Sequence, residues 1–198
     1  MTARLRADLA LIAGLIEPGS RVLDLGCGSG MLLRHLMDHQ HCTGTGVEID
    51  PDAVLVAIRQ GVPVVELDMD RQLGEFCDRS YDVVVLSKTL QALRRPRQVL
   101  TEMSRIASRL VLSMPNFGHW RNRGRLLRGR MPMSKEMPYP WYDTPNLHHA
   151  TLTDLEHLFR IVRLQVERRI PLDVNGRLIR DRAAGLRAGS VVYVLKNA

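Results

Sequence analysis

Hydrophobic residues in the first 114 positions alternate between short continuous runs and spaced patterns. Five runs are apolar enough for buried strands: 21–25, 43–49, 61–67, 81–86 and 109–114. Between them, apolar positions recur at steps of three and four, which predicts helices over 31–37, 51–60 and 96–107. This alternation predicts an α/β fold with a mostly parallel sheet, right-handed crossovers and helices on both faces.

The flanking regions complete a single predicted domain over 1–198. Apolar positions in 4–16 follow one helical face, and 71–80 is polar enough for a loose turn or short helix. After residue 150 the pattern predicts a helix over 153–160, with Thr153 and Glu156 as a capping box. Two strands, 161–170 and 190–195, are expected to pair as a hairpin with a long insertion. The predicted parts are a ligand-binding core (18–114), an insert or lid (115–150) and a C-terminal helix and hairpin (151–198).

A glycine-rich turn follows the first predicted strand. Gly26, Gly28 and Gly30 lie between that strand and a helix, with the spacing G-x-G-x-G. Glycine permits positive φ and lets a ligand approach the backbone, and the helix start presents free N–H groups. The turn therefore predicts a ligand site, although three isolated glycines fit an ordinary βα turn equally well.

Acidic residues end the second and third predicted strands. Glu48 follows Gly26 by 22 positions, near the distance at which Rossmann-type folds place a ribose-binding acid. Asp50 precedes Pro51 and is expected to cap the next helix. After the third strand, Asp68 is suited to accept a hydrogen bond from an adenine amino group, with Met69 packing on the ring. A solvated loop acid is an equally good interpretation of Asp68.

Composition narrows the functional classes. Hydrophobic residues make up 45% and charged residues 25% of the 198 residues, and no apolar run approaches the length of a membrane span. The N-terminus has no signal-peptide pattern, so a cytoplasmic location is expected. Three cysteines and scattered histidines predict no disulfide framework and no metal site. No nucleophile-elbow motif is present.

The net charge of +7 is concentrated in the second half of the chain, where 17 Lys/Arg face 8 Asp/Glu. The arginine run 121–130 carries part of this positive charge. A short helix with a basic face is a better interpretation of the run than a nucleic-acid site. Large aromatic side chains stand nearby in the proline-rich insert: Trp120, Tyr139, Trp141 and Tyr142. They predict a pocket wall or protein interface, or simply cover for the sheet edge.

Several strings resemble known families. The segments Val22–Gly30, Gly46–Asp50 and Tyr81–Leu86, together with Asp68, resemble the class I S-adenosylmethionine-dependent methyltransferase fold. Four further strings resemble the methionine biosynthesis protein MetW family: Ser87–Ala92, Pro115–Asn122, Gly129–Lys135 and Trp141–His148.

These resemblances imply a Rossmann-like class I fold with a seven-stranded sheet and a site for S-adenosylmethionine or S-adenosylhomocysteine. The implied cofactor-binding residues are Asp24, Gly26, Cys27, Gly28, Gly30, Glu48, Ile49, Asp68, Met69 and Ser87. Two positions depart from the expected pattern. Ser29 replaces a common acid, and Lys88 replaces a common glutamine, which puts a cation at the pocket mouth to contact a cofactor carboxylate or point away.

The MetW resemblance also implies a function. Such chains are expected to associate with homoserine O-acyltransferase, an acetyl- or succinyltransferase, and to support its activity in a homo- or hetero-oligomer. The alternative is an active methyltransferase on an unidentified small-molecule acceptor. No catalytic residue is assigned; His119, Tyr139 and Asp143 are the candidates to polarise an acceptor if the insert folds over the pocket.

Overall fold

One seven-stranded sheet organises the chain. The computed structural model describes residues 5–134 and 136–198. The strand order is β3-β2-β1-β4-β5-β7-β6, with β1 to β5 parallel and β7 antiparallel to both of its neighbours. The strands are β1 Arg21–Leu25, β2 Thr43–Glu48, β3 Val64–Glu66, β4 Val83–Ser87, β5 Arg109–Pro115, β6 Leu164–Leu172 and β7 Ser190–Asn197. The predicted mostly parallel α/β fold is confirmed.

Helices cover both faces of the sheet, as predicted. They are α1 Ala7–Ala13, α2 Met31–Gln40, α3 Pro51–Arg59, α4 Pro96–Ile106, α5 Trp120–Leu127, α6 Leu152–Ile161 and α7 Ala184–Arg187. Apolar side chains of α4 and α6 join one buried cluster, and those of α1, α2 and α3 join another. Side chains of each central strand alternate between the two clusters, since successive residues point to opposite faces.

The start of α6 differs from the prediction. Thr151 is the N-cap: its hydroxyl accepts from the Asp154 N–H at 3.3 Å, and the Asp154 carboxylate accepts from the Thr151 N–H at 3.2 Å. The predicted box of Thr153 and Glu156 is therefore wrong by two residues. The sequence holds the same spacing twice, and Glu156 instead accepts hydrogen bonds from Tyr193 and Arg169.

The C-terminal strands confirm the predicted hairpin and move its first boundary. Helix α6 runs to Ile161, and β6 begins only after Arg163, whose φ is +57°. Residues 173–189 form the insertion, which includes α7. In the part of the chain that the structure describes, no helix combines the length and apolar character needed to cross a membrane.

Candidate functional site

The glycine turn is tied to β2 and packed against the segment after β4. The N–H groups of Gly26 and Cys27 both donate to the Val47 carbonyl, at 2.8 and 3.1 Å. Gly26 has φ +70°, and a Cβ there would lie 2.7 Å from the Thr89 hydroxyl oxygen. Gly28 also has positive φ, +55°, but has open space where its Cβ would be. Packing thus requires Gly26, whereas Gly28 leaves its backbone open to a ligand.

Glu48 holds the glycine turn in place. Its Oε2 accepts from the Gly28 N–H at 2.8 Å, and its Oε1 accepts from the N–H groups of Ile49 and Asp50 at 2.8 and 3.1 Å. Since a carboxylate has about four acceptor positions, roughly one remains for a ribose hydroxyl. Asp50 caps α3 as predicted, with its carboxylate accepting from the Asp52 N–H at 3.0 Å.

A cavity of about 260 Å³ lies beside the turn. Five of the predicted cofactor-binding residues line it: Asp24, Gly26, Cys27, Gly28 and Ser87. The other described lining residues are Arg6, Leu9, Ser29, Met31, Leu32 and Lys88. Small-molecule pockets usually measure about 300–1,000 Å³, so this cavity suits part of a nucleoside-sized ligand. Gly30 has φ +78° and is the N-cap of α2, at the end of the same turn.

Asp24 is the buried acid of this cavity. Only 3% of the residue is exposed, and its carboxyl has no hydrogen-bond partner within residues 5–134 and 136–198. Burial, and secondarily the negative charge of Glu48, raise the pKa of Asp24 to about 7. A buried acid with free acceptor positions is suited to hold a cation such as an ammonium group.

Cys27 lies in an environment that disfavours its thiolate. Burial, followed by the charges of Asp24 and Glu48, raises the pKa of its thiol to about 12, so the thiol stays protonated. Its sulfur packs against β2: a Cβ at Gly46 would lie 2.5 Å from the Cys27 Sγ. Glycine at position 46 therefore makes room for this side chain beside the turn.

Asp68 and Met69, which are predicted to hold adenine, are not among the described lining residues of this cavity, and neither are Glu48 and Ile49. Ile49 is exposed at the end of β2, and Met69 is buried in the core with 8% of its surface exposed. Asp68 accepts from the Asp70 N–H at 2.9 Å and pairs with Arg71 at 3.7 Å. Their roles toward an adenine ring stay predictions.

Lys88 connects the cavity to two distant segments. Its ammonium lies 2.6 Å from the Glu136 carboxylate of the insert and 3.4 Å from the Asp8 carboxylate of α1. The residue has φ +53°, and its N–H donates to the Ser113 carbonyl at 3.0 Å. Positive φ in a non-glycine residue at a cavity wall is typical of functional sites. The sequence leaves Lys88 either to contact a cofactor carboxylate or to point away; in the structure it lines the cavity and pairs with two protein carboxylates, an arrangement that the sequence did not predict.

Helix α1 supplies lining residues that sequence reasoning missed. The apolar face of residues 4–16 predicts a helix but not its place at the site, where Arg6 and Leu9 line the cavity and Asp8 pairs with Lys88. The one available signal was Asp8, a charge on an otherwise apolar helix, and it was too weak to place this helix at the site.

The candidate acceptor-polarising residues lie away from the cavity lining. His119 is buried and caps α5, with its Nδ1 accepting from the Arg121 N–H at 3.3 Å. Burial, and secondarily Arg121, lower the pKa of His119. Tyr139 and Asp143 are exposed in the insert. Within the described residues, no group of three or more His, Cys, Asp or Glu is arranged to hold a metal ion.

Comparison with known proteins decides the family. Residues 6–194 match the family model described as methionine biosynthesis protein MetW. The chain belongs to the MetW family. A relative from Rhodopirellula baltica, named bifunctional methionine biosynthesis protein MetXA/MetW, is 32% identical over 181 residues, which is 86% of this chain and 29% of that protein.

Other curated relatives match about half of the chain. The ribosomal protein L11 methyltransferase of Burkholderia thailandensis is 33% identical over 99 residues, 50% of this chain and 33% of that protein. This chain therefore spans a third or less of the length of these two curated relatives.

Two solved structures cover nearly the whole chain. A SAM-dependent methyltransferase from Archaeoglobus fulgidus has a TM-score of 0.72 and 16% identity, covering 96% of this MetW chain and 92% of the other. An S-adenosylmethionine-dependent methyltransferase from Mesorhizobium loti has a TM-score of 0.71 and 14% identity, covering 97% and 98%. The MetW chain thus has the class I SAM-dependent methyltransferase fold.

Proposed function

We propose that this MetW chain is an accessory subunit that associates with homoserine O-acyltransferase in the cytoplasm and supports its activity in methionine biosynthesis. The observation that carries the proposal is the Rhodopirellula relative, whose name joins MetXA and MetW in one polypeptide. Fusion keeps two modules at high effective concentration, which is useful when they work together. Acetyl- and succinyltransferases are equally suitable partners under this proposal.

We further propose that the cavity beside the glycine turn holds S-adenosylmethionine or S-adenosylhomocysteine. The residues present fit such a ligand. Asp24 offers unpaired acceptor positions to an ammonium group, Glu48 retains an acceptor position for a ribose hydroxyl, and Gly28 leaves its backbone accessible. S-adenosylmethionine supplies an electrophilic methyl group when bound, but the accessory role needs only its binding.

The surroundings of the cavity favour a regulatory site over a catalytic one. His119, Tyr139 and Asp143 are absent from the described cavity lining, while Lys88 is engaged by carboxylates of α1 and of the insert. A ligand at Lys88 is thereby adjacent to α1 and to the insert. For the ligand to regulate the complex, it must bind one arrangement of those segments better than another.

An active methyltransferase is the alternative function. Methyl transfer needs in-line placement of donor and acceptor more than it needs a base, so the lack of an assigned base does not remove this function. The class I fold is compatible with it. The two functions differ in the fate of S-adenosylmethionine. An accessory subunit binds it without turnover, whereas a methyltransferase converts it in the presence of an acceptor.

The deciding measurement is homoserine acyltransferase turnover, with the partner enzyme assayed alone and together with this chain. We expect the rate to rise when the chain is present, and the two proteins to co-purify. Titration of S-adenosylmethionine into the same assay then tests regulation. An unchanged rate together with failure to co-purify contradicts the accessory role, and release of S-adenosylhomocysteine with a small-molecule acceptor would establish the alternative.

A further inference from the structure

Helix α5 exposes three large apolar side chains, and its one buried residue is polar. Leu127 is 89% exposed and Trp120 is 55% exposed, and Leu126 is exposed as well. By contrast, α4 buries its apolar face, formed by Val99, Leu100, Met103 and Ile106. Large exposed apolar side chains grouped on one element mark a site of interaction.

The helix is held in place by polar residues at its base. Asn122 is its one buried residue, and its side-chain amide donates to the Phe117 carbonyl at 3.1 Å. The Arg123 guanidinium donates to the Gly118 carbonyl at 2.7 Å. Just before the helix, the buried Asn116 side chain donates to the Ala188 carbonyl at 3.0 Å. The exposed face is therefore presented by a fixed scaffold, which lowers the entropy cost of binding.

The same segment carries positive charge that no acid neutralises. Residues 117–134 contain five arginines and no Asp or Glu. None of those five arginines forms an ion pair with any residue in 5–134 or 136–198. The Arg121 guanidinium instead lies 5.3 Å from the centre of the Trp120 ring. Tryptophan and arginine are the residues most enriched among the side chains that dominate protein–protein binding.

We infer that the exposed apolar and basic side chains of α5 and its C-cap, here called the α5 surface, dock on the homoserine O-acyltransferase partner. They are Trp120, Arg121, Leu126, Leu127 and Arg128. The inference rests on the proposed function and names its interface. The charge of the surface requires an apolar groove rimmed by Asp and Glu on the partner, since unpaired arginines need opposite charge. Exposed Leu126 and Leu127 favour a protein surface over RNA, whose phosphates offer leucine no contact.

The test compares two α5 variants with two matched controls, using the full chain and purified acyltransferase. Leu127→Gln removes the most exposed apolar side chain and keeps helix propensity, and Arg121→Glu reverses one charge near the helix start. We expect each to weaken the affinity for the acyltransferase by about tenfold or more. The controls are Leu55→Gln on α3, which is also an exposed leucine at 51%, and Arg97→Glu on α4.

The controls are expected to bind the acyltransferase as tightly as the unaltered chain does. All four variants should have the same melting temperature as the unaltered chain. Affinity that survives both α5 substitutions overturns the α5 surface while leaving the accessory role intact. Failure of the unaltered chain to bind or stimulate the enzyme overturns the accessory role itself. A different result would be that the α5 variants still bind the acyltransferase but lose a salt-sensitive binding to mixed-sequence single-stranded RNA that the unaltered chain shows. In that case the α5 surface is a nucleic-acid site and the inference is wrong.

Discussion

Two carboxyl groups beside the glycine turn have opposite environments. Glu48 accepts three backbone hydrogen bonds, whereas Asp24 is buried with none within the described residues. The first stabilises the turn, and the second costs stability whenever it is ionised. A buried acid without a partner inside a cavity is the arrangement expected of a ligand-binding residue, because the ligand supplies the missing partner.

Asp24→Asn tests this cost through its pH dependence. An unfolded aspartate titrates near pH 4, whereas burial raises the pKa of Asp24 to about 7 in the folded chain. Between these values the folded state binds more protons than the unfolded state, so its stability falls as pH rises. The Asn variant lacks this loss. The free energy of unfolding of Asp24→Asn minus that of the unaltered chain should therefore increase from pH 4 to pH 8, by at most about 4 kcal/mol.

Urea unfolding at several pH values measures this difference, and a difference that is independent of pH contradicts the titration of Asp24.

The charge of Asp24 should also affect the affinity of the cavity for its ligand. Calorimetry is expected to show the affinity for S-adenosylmethionine rising as pH passes through about 7, because the ionised carboxylate attracts the ammonium group. In Asp24→Asn the affinity should be lower and flat over this range.

At the scale of elements, buried asparagines explain why the insert has a defined shape at its base. Asn116 is 1% exposed and joins β5 to α7: its amide donates to the carbonyls of Ala184, Gly185 and Ala188, and its oxygen accepts from the Gly118 N–H. These bonds satisfy the C-terminal carbonyls of a four-residue helix that is too short to be stable by itself. The Asn116 side chain therefore connects residues 173–189, between the two hairpin strands, to the start of the 115–150 insert.

Asn116→Ala should lower the free energy of unfolding by about 2–3 kcal/mol, since it leaves buried backbone groups without partners. Denaturant unfolding measures the loss. Gln98→Ala is the matched control, because this amide lies exposed on α4 and should change stability by less than about 0.5 kcal/mol. Equal stability of the two variants would show that the Asn116 network contributes nothing to the fold.

At the scale of the whole molecule, Lys88 brings together three segments that are far apart in the chain. Its carboxylate partners, Asp8 and Glu136, are both mostly buried. Removing the cation leaves two partly desolvated acids close to each other, which is unfavourable. Lys88 therefore links the end of β4 to helix α1 and to the insert beside the cavity.

Lys88→Met should raise the rate of amide hydrogen exchange in α1 and around Glu136, and lower the free energy of unfolding by about 1–3 kcal/mol, because the pair is only partly buried. Mass spectrometry of peptides from the exchanged protein locates the change. Arg71→Met removes an exposed partner of Asp68 and should have almost no effect. Exchange that is unaltered in both segments would mean that other contacts hold α1 and the insert at the cavity.

The local pattern of the sequence predicted the elements that depend on neighbouring residues. The apolar runs placed β1, β2, β4 and β5 within a few residues, and Asp50 with Pro51 predicted the start of α3 correctly. Where two local signals were equivalent, the pattern failed: Thr151 and Thr153 both begin a capping-box spacing, and the helix begins from the first. Long, unusual strings identified the family because such matches do not require knowledge of contacts.

The sequence by itself thus determined the mostly parallel sheet, most of its helices, the glycine turn and membership of the MetW family. Only the tertiary structure decided which side chains share the cavity. Residues 8, 88 and 136 meet at one ion-pair cluster, and Arg6 lines a site whose turn begins 20 positions later. Hydrophobic periodicity reports which face of an element is buried, but the packing of distant elements sets which faces meet.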